Sequence, residues 1–167
     1  MPTLIRWRQG AAVLEEDPFT NVADDVPMPR GDLIISLTRF QSEGERLLGE
    51  GRKIGVRVEP HEEVEALAYD LPRVAVVALA FPKYRDGRAY SSARLLRERY
   101  AYKGEVRAVG DVLREQARFM VRCGLDAFEP ADGSSPEDWS KAVGRFRHVY
   151  QRAADALQPA FVEREGA

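Results

Sequence analysis

The sequence predicts an α/β protein built on a parallel sheet of about five strands with helices on both faces. Apolar or alternating runs recur from residue 32 onwards, and helix-compatible segments separate them. Strands and helices that alternate with short connections produce parallel strands joined by right-handed crossovers. The chain has 167 residues, of which 44% are hydrophobic and 31% charged, and this suits a globular domain with a substantial core.

Five segments are predicted to form the sheet: residues 33–37, 53–58, 74–81, 105–109 and 125–129. The third is wholly apolar and the first is apolar except for Ser36, as expected for strands covered on both faces, whereas the second and fourth carry Arg57 and Arg107. This difference favours a flavodoxin-like or Rossmann-like order, 2-1-3-4-5, which places the two apolar strands in the centre. A partial (β/α) barrel is the alternative, because Gly-Leu-Asp-Ala-Phe in the fifth segment is typical of barrel strands.

Residues 1–31 are interpreted as an N-terminal β-hairpin arm followed by a loop. Short β-like runs flank Gln9-Gly10, which is a suitable hairpin turn. The segment from residue 15 to residue 32 is rich in Asp, Pro and Asn, and it is predicted to lack regular structure. The predicted division is therefore the arm with its loop over residues 1–31 and a single α/β domain over residues 32–167.

Helices are predicted at residues 39–49, from residue 60, after the third strand, at residues 112–123 and from residue 136. The last one begins with Ser135 as N-cap and Pro136 at its first position. Its apolar stripe recurs in steps of three and four residues at Trp139, Val143, Phe146, Tyr150, Ala153 and Leu157. We expect this stripe to close the core, and a homodimer contact through the C-terminal helix is the alternative.

Composition argues against several classes of function. The net charge of −2 and the pI near 5.8 are not those of a protein that binds nucleic acid or anionic membranes through its overall charge. No apolar run approaches the roughly 20 residues of a membrane span. The single cysteine and two distant histidines argue against a metal site and fit a reducing cytoplasm. The expected location is therefore the cytoplasm.

The loop after the third strand is the predicted ligand site. Gly87 allows unusual backbone dihedrals or close approach of a ligand, and Lys83, Arg85 and Arg88 surround it. Tyr90 and Ser91 place hydroxyl groups near a helix start. Basic side chains and free N–H groups at a helix start suit an oxyanion such as sulfite, sulfate or phosphate. The alternative is a glycine turn with solvated arginines.

Two carboxylates are candidates for acid–base chemistry. Asp111 follows Gly110 at the end of the fourth strand, and Gln116 lies in the first turns of the next helix, where it could reach the same cleft. Asp111 is interpreted first as a helix N-cap and second as a general base. Glu129, at the end of the fifth strand, is the other candidate. No dinucleotide fingerprint, iron–sulfur cysteine set or flavin loop is present, so no cofactor is evident.

Arg85-Asp-Gly-Arg-Ala-Tyr-Ser, together with residues 93–100, 104–116 and 122–128, resembles the bacterial domain-of-unknown-function family numbered 934. The resemblance covers most of the chain and is densest from residue 81 to residue 128. It adds Asp86 and Arg107 to the candidate positions. Members of that family occur beside genes for sulfite reductase and phosphoadenylylsulfate reductase and are often labelled as oxidoreductases, so the resemblance implies a role in sulfur assimilation.

The expected function is that of an accessory protein of assimilatory sulfite or sulfate reduction. It would bind a small oxyanion or dock on sulfite reductase or another enzyme of sulfate assimilation. The alternative is a small enzyme or oxidoreductase that acts on a sulfur oxyanion, with Asp111 and Glu129 as acid and base. Whether the protein is an enzyme stays open at this point.

Overall fold

A computed structural model describes residues 3–165 and shows one sheet of eight strands that curls into a half-barrel. The strands are β1 (Thr3–Arg8), β2 (Ala11–Glu16), β3 (Phe19–Asn21), β4 (Asp32–Ser36), β5 (Ile54–Val58), β6 (Val76–Phe81), β7 (Glu105–Gly110) and β8 (Ala127–Phe128). Their spatial order is β2-β1-β8-β7-β6-β5-β4-β3. Strands β3 to β8 are parallel and lie in chain order, whereas β1 is antiparallel to both β2 and β8.

The α/β class is confirmed, and β4 to β8 correspond to the five predicted strands, but the flavodoxin-like order is wrong. In that order the first and third predicted strands would be neighbours, whereas β5 lies between β4 and β6. The sequential order and the curl are those expected of the barrel alternative. The neighbours of the fourth predicted strand agree with the flavodoxin-like order, because β7 pairs with β6 on one side and β8 on the other.

Five α-helices accompany the sheet: α1 (Leu37–Gly49), α2 (Arg88–Arg94), α3 (Ala117–Arg122), α4 (Pro136–Gly144) and α5 (Ala160–Glu165). Every buried apolar side chain of α1 to α4 belongs to one large core on the outer face of the curl. The inner face carries a small apolar cluster of strand residues around Phe19, Ile34 and Ala78. Helices on both faces were predicted, but the buried surfaces of α1 to α4 all meet the outer face.

The N-terminal hairpin is confirmed, and it belongs to the sheet. Gln9 and Gly10 both have positive φ angles, 49° and 86°, as a tight two-residue hairpin turn requires. The prediction that the following segment lacks regular structure is wrong, because residues 19–21 form β3. Whether the division at residue 31 marks a domain boundary stays a prediction, although strands from both sides of it belong to one sheet.

A two-residue link of Asp17 and Pro18 joins the two edge strands of the sheet. Strand β2 ends at Glu16 and β3 begins at Phe19, yet these strands occupy opposite ends of the strand order. Three Cα–Cα steps span at most about 11 Å. The end of β2 and the start of β3 are therefore close in space although they belong to opposite edges of the sheet. This is possible only if the sheet curls.

Helix α1 contains the predicted residues 39–49, whereas the helices predicted from residue 60 and at residues 112–123 are shorter in the structure. Val64–Leu67 and Arg114–Gln116 are single 3₁₀ turns, and α2 continues into a π-helical turn at Leu95–Arg99. Ser135 is confirmed as the N-cap of α4 and Pro136 as its first residue, and Ser135 also forms a capping box with Asp138.

The prediction of one long C-terminal helix is wrong, because α4 ends at Gly144 and α5 begins sixteen residues later. Phe146, Tyr150 and Leu157 are consequently exposed by 59%, 90% and 47% instead of lining one stripe. A helix that continued would use the Val143 carbonyl, but that oxygen accepts from Arg118 Nη1 at 2.7 Å. A homodimer stays a prediction without the continuous helix on which it was based.

None of the helices within residues 3–165 has the length and apolar character needed to cross a membrane.

Candidate functional site

The predicted ligand loop, residues 82–87, connects β6 to α2 at the carboxyl ends of the strands. Two side chains from the segment after β7 hold its backbone at Tyr84. The Tyr84 amide donates to Asp111 Oδ2 at 2.9 Å, and Gln116 Nε2 donates to the Tyr84 carbonyl at 2.7 Å. Asp111 and Gln116 therefore reach the predicted loop, and we call residues 82–87 the braced loop.

Gly110 lets the ends of β6 and β7 approach closely. Its φ angle is +100°, and a Cβ atom there would lie 2.5 Å from the Phe81 carbonyl oxygen. The Asp111 amide donates to that same oxygen at 2.7 Å. Gly110 therefore has a clear structural role, since any larger residue would push the loops after the two strands apart. Gly87, by contrast, has an ordinary φ of −85°, so the unusual dihedrals expected of it are not observed.

Asp86 and Arg88 bind each other at the start of α2. Arg88 Nε and Nη2 donate to the two carboxylate oxygens of Asp86 at 2.9 and 2.7 Å. The hydrogen bonds from Arg88 hold the pKa of the Asp86 carboxyl below its ordinary value and raise the pKa of the Arg88 guanidinium. The Arg88 side chain is 62% exposed, so its remaining N–H groups still face solvent.

Three other predicted ligand residues are exposed. Lys83 and Ser91 lie on the surface of the loop and of α2. Arg85 Nε donates to the Tyr84 hydroxyl at 2.7 Å, and its guanidinium lies 5.4 Å from the centroid of that ring. The braced loop thus presents cationic groups beside an exposed tyrosine that the sequence analysis did not single out.

The ring of Tyr90 packs among other aromatic side chains, and its predicted role as a ligand hydroxyl stays a prediction. Its ring lies between those of Phe81 and Phe119, with centroids 5.2 and 4.6 Å away. Burial raises the pKa of Tyr90 to about 12. The ring thereby joins α2 to α3.

Glu129 belongs to a charge network on the inner face of the sheet. Its Oε1 is 3.2 Å from Arg107 Nη1. Arg107 is completely buried, donates to Asp17 at 2.6 and 3.0 Å, and also contacts Glu105 at 2.8 Å. Burial lowers the pKa of Arg107, but the hydrogen bonds and charges of Asp17 and Glu105 outweigh this and raise it overall. Asp111 and Glu129 therefore have separate partners, and the structure does not join them.

Arg6 extends the network, and the sequence analysis missed it together with Asp17 and Glu105. Arg6 Nε donates to Glu105 Oε2 at 2.7 Å, and Arg6 Nη1 donates to Glu15 Oε2 at 2.8 Å. The only signal in the sequence was a set of arginines within strands and acids close to them. Such residues are rarely buried unless they are paired, but the sequence pattern does not identify which acids are the partners.

One cavity lies at the carboxyl ends of β3, β4 and β5, and a second lies beside α3. One, of about 450 Å³, is lined by polar side chains that include Asp24, Ser36, Arg57 and Glu59. Arg57 and Glu59 pair within it at 2.7 Å. The other, of about 640 Å³, lies between α3 and α4.

In the described part of the chain, no group of three or more His, Cys, Asp or Glu side chains is arranged to hold a metal ion.

The sequence model of the family described as "Bacterial protein of unknown function (DUF934)" matches residues 55–161, which is more than half of the chain. The chain belongs to the DUF934 family. The matched DUF934 region begins in β5 and contains the braced loop, Asp111, Gln116 and Glu129, whereas β1 to β4 precede it. No curated protein matches this DUF934 chain.

Proposed function

We propose that this protein is a cytoplasmic, non-catalytic accessory of assimilatory sulfite reduction. It docks on the reductase, or binds a small sulfur oxyanion, through the braced loop. The sulfur setting rests on the family's genomic neighbours. The observation that carries the binding role is the bracing of the Tyr84 backbone by Asp111 and Gln116.

Bracing favours binding because a loop fixed beforehand loses little conformational entropy when its ligand arrives. The loop holds Lys83 and Arg85 at the surface, and Tyr84 is 44% exposed beside them. Tyrosine and arginine are enriched in the core of protein interfaces. The same cations suit carboxylates of a partner or the oxygens of sulfite.

The catalytic alternative is less favoured by the contacts of its two carboxylates. Asp111 accepts from the Tyr84 amide, and Glu129 contacts the buried Arg107 on the inner face. Shared acid–base work would require both groups to leave these partners and to converge on one substrate. The binding role needs no such rearrangement.

The test is a pull-down of sulfite reductase from the same organism, together with calorimetric titration by sulfite, sulfate and phosphate. The double variant Lys83→Gln/Arg85→Gln is expected to weaken binding by about tenfold or more, as the loss of charge-assisted contacts does. Lys103→Gln is the matched control, because Lys103 is exposed and precedes β7 at the opposite end of the strand. Folded protein that binds neither the reductase nor any of the three anions would refute the proposal.

A further inference from the structure

A groove between α3 and α4 combines cationic and aromatic side chains. We call it the cationic groove; its principal residues are Arg114, Arg118, Phe119, Lys141, Arg145 and Phe146, and its volume is about 640 Å³. Arg114 and Arg118 are four residues apart on one wall, and Lys141 and Arg145 are four residues apart on the other. Each wall thus repeats positive charge at the spacing of one helical turn.

Two of these arginines lie against the same ring. The guanidinium carbons of Arg118 and Arg145 are 5.7 and 5.5 Å from the centroid of Phe146. Within residues 3–165, neither arginine forms a salt bridge with an acidic side chain. Two cations so close to one ring leave an excess of positive charge that an anionic group would neutralise.

Arg118 also has unused hydrogen-bonding capacity. Its Nη1 donates to the Val143 carbonyl, but its Nη2 is buried and has no hydrogen-bond partner among the described residues. A buried donor without a partner costs about 1–3 kcal/mol, more when it is charged, so an acceptor at this position would be stabilising. The groove therefore holds an unsatisfied donor as well as unpaired charge.

The groove is not uniformly basic. Glu115 and Asp138 also line it, and they approach Arg114 at 4.0 and 3.9 Å. Lys141 contacts Glu137 at 3.4 Å, but both side chains are highly exposed, so this pair holds the lysine only weakly. The acids disfavour a polyanion such as nucleic acid, whose evenly spaced phosphates would meet them.

The apolar part of the groove identifies the ligand further. Phe119 and Phe146 are exposed by 55% and 59%. Aromatic side chains exposed together beside arginines are typical of surfaces that bind a partner. A free inorganic anion would use the cations but not the two rings.

We propose that the cationic groove docks an acidic peptide segment of a partner protein, with an aromatic or aliphatic side chain of that segment placed against Phe119 and Phe146. Acidic side chains of the segment bind Arg118 and Arg145. This role goes beyond the proposed function and does not depend on sulfite, because the groove is distinct from the braced loop. The two surfaces are nevertheless adjacent, since Tyr90 packs against Phe119.

The probe is a fluorescein-labelled peptide, Gly-Asp-Glu-Phe-Asp-Asp-Leu-Glu-Phe-Asp-Glu-Gly, measured by fluorescence polarisation. One control peptide replaces each acid by its amide, and a second replaces Phe and Leu by Ser. Arg145→Gln is expected to weaken binding about tenfold, since it removes one charge-assisted contact. Phe146→Ser is expected to weaken it similarly, and both control peptides are expected to bind more weakly than the probe.

Arg99→Gln is the matched variant, because Arg99 also lies over an aromatic ring, that of Tyr100 at 5.6 Å, but outside the groove. Its affinity for the probe should equal that of the unmodified chain. Arg118→Gln tests the α3 side of the groove in the same binding measurement, and thermal unfolding of this variant checks that the fold is kept. No binding of the probe, equal binding of the amide peptide, or equal weakening by Arg99→Gln would overturn the proposal. Tighter binding of a single-stranded oligonucleotide, with the same dependence on Arg145, would overturn it in favour of a nucleic-acid surface.

Discussion

Arg107 and Asp17 form a two-pronged ion pair inside the curled sheet, with N–O distances of 2.6 and 3.0 Å. Arg107 lies on the central strand β7, whereas Asp17 lies in the link between the two edge strands. The pair therefore ties the closing point of the curl to its middle. Phe19 reinforces this tie, because the Arg107 guanidinium lies 5.8 Å from the centroid of its ring.

Asp17→Asn is expected to lower the free energy of unfolding by about 3 kcal/mol, because it leaves the buried Arg107 charge with incomplete compensation. Urea unfolding followed by circular dichroism measures this quantity. Asp25→Asn is the control, since Asp25 is an exposed acid in the connection between β3 and β4. Equal stabilities of the two variants would show that the pair does not hold the fold.

Asp111→Ala is expected to release the braced loop while leaving the fold intact. It removes the acceptor of the Tyr84 amide, so hydrogen exchange at that amide should accelerate about tenfold, and the stability should fall by about 1 kcal/mol. Exchange detected by nuclear magnetic resonance reports on this amide directly. Glu115→Ala, at an exposed acid nearby, should leave the exchange unchanged; acceleration in both variants would mean that Asp111 has no special role.

Gly110→Ala is expected to destabilise the protein more strongly than Gly51→Ala. Both glycines have positive φ angles, +100° and +77°, so both substitutions introduce backbone strain of about 1–2 kcal/mol. Only at Gly110 would the new Cβ also collide with the Phe81 carbonyl, because Gly51 has open space. The difference between the melting temperatures of the two variants measures the effect of the collision, because the backbone strain is common to both. Equal decreases in melting temperature would exclude a steric role for Gly110.

The Asp86–Arg88 pair predicts that the stability of the folded protein decreases at acid pH. Arg88 lowers the pKa of Asp86 in the folded state. The contribution of this pair to stability is therefore fully present above the pKa of Asp in the unfolded chain, about 3.9, and is lost as the pH falls through the pKa of Asp86 in the folded state. Arg88→Gln should return the Asp86 pKa towards its ordinary value in a carboxyl carbon titration. Arg94→Gln, which breaks the neighbouring Glu98 pair, should not change it. An unshifted Asp86 pKa in Arg88→Gln would contradict this assignment.

Cys123 is expected to resist thiol reagents in the folded protein. It is 3% exposed, and burial raises the pKa of its thiol, which lowers the fraction of reactive thiolate at neutral pH. A colorimetric disulfide reagent should react slowly with the native chain and rapidly in urea. Rapid reaction under native conditions would indicate that α3 opens often.

Local patterns carried the prediction of β4 to β7, because each of these strands has five or six residues with an apolar or alternating pattern. Strand β3 was missed because Phe19-Thr-Asn is only three residues long and follows Pro18. Strand order failed because Arg57 was taken to favour a position away from the centre for the second predicted strand, whereas β5 lies between β4 and β6. Arg57 stays 47% exposed and pairs with Glu59 at 2.7 Å, so this strand carries an arginine without lying at an edge of the sheet.

The candidate site was predicted only in part, because a local pattern shows where a residue lies along the chain but not what its side chain contacts. Gln116 was expected to reach the cleft beside Asp111, and in the structure both side chains contact the backbone of Tyr84 in the loop after β6. Glu129 was grouped with them only because it ends a neighbouring strand. Its side chain points instead towards Arg107, because strand residues alternate between the two faces of a sheet.

The link of Asp17 and Pro18 has a practical consequence for how the protein is expressed. The family match starts in β5, yet β1 to β4 supply half of the strands and the acid that neutralises Arg107. A fragment cut at the start of the match would carry a bare edge at β5 and another at β8, and exposed edges of this kind promote aggregation. Expression boundaries should include the whole curled sheet, from its first strand to α4, and not only the stretch of sequence shared by the family.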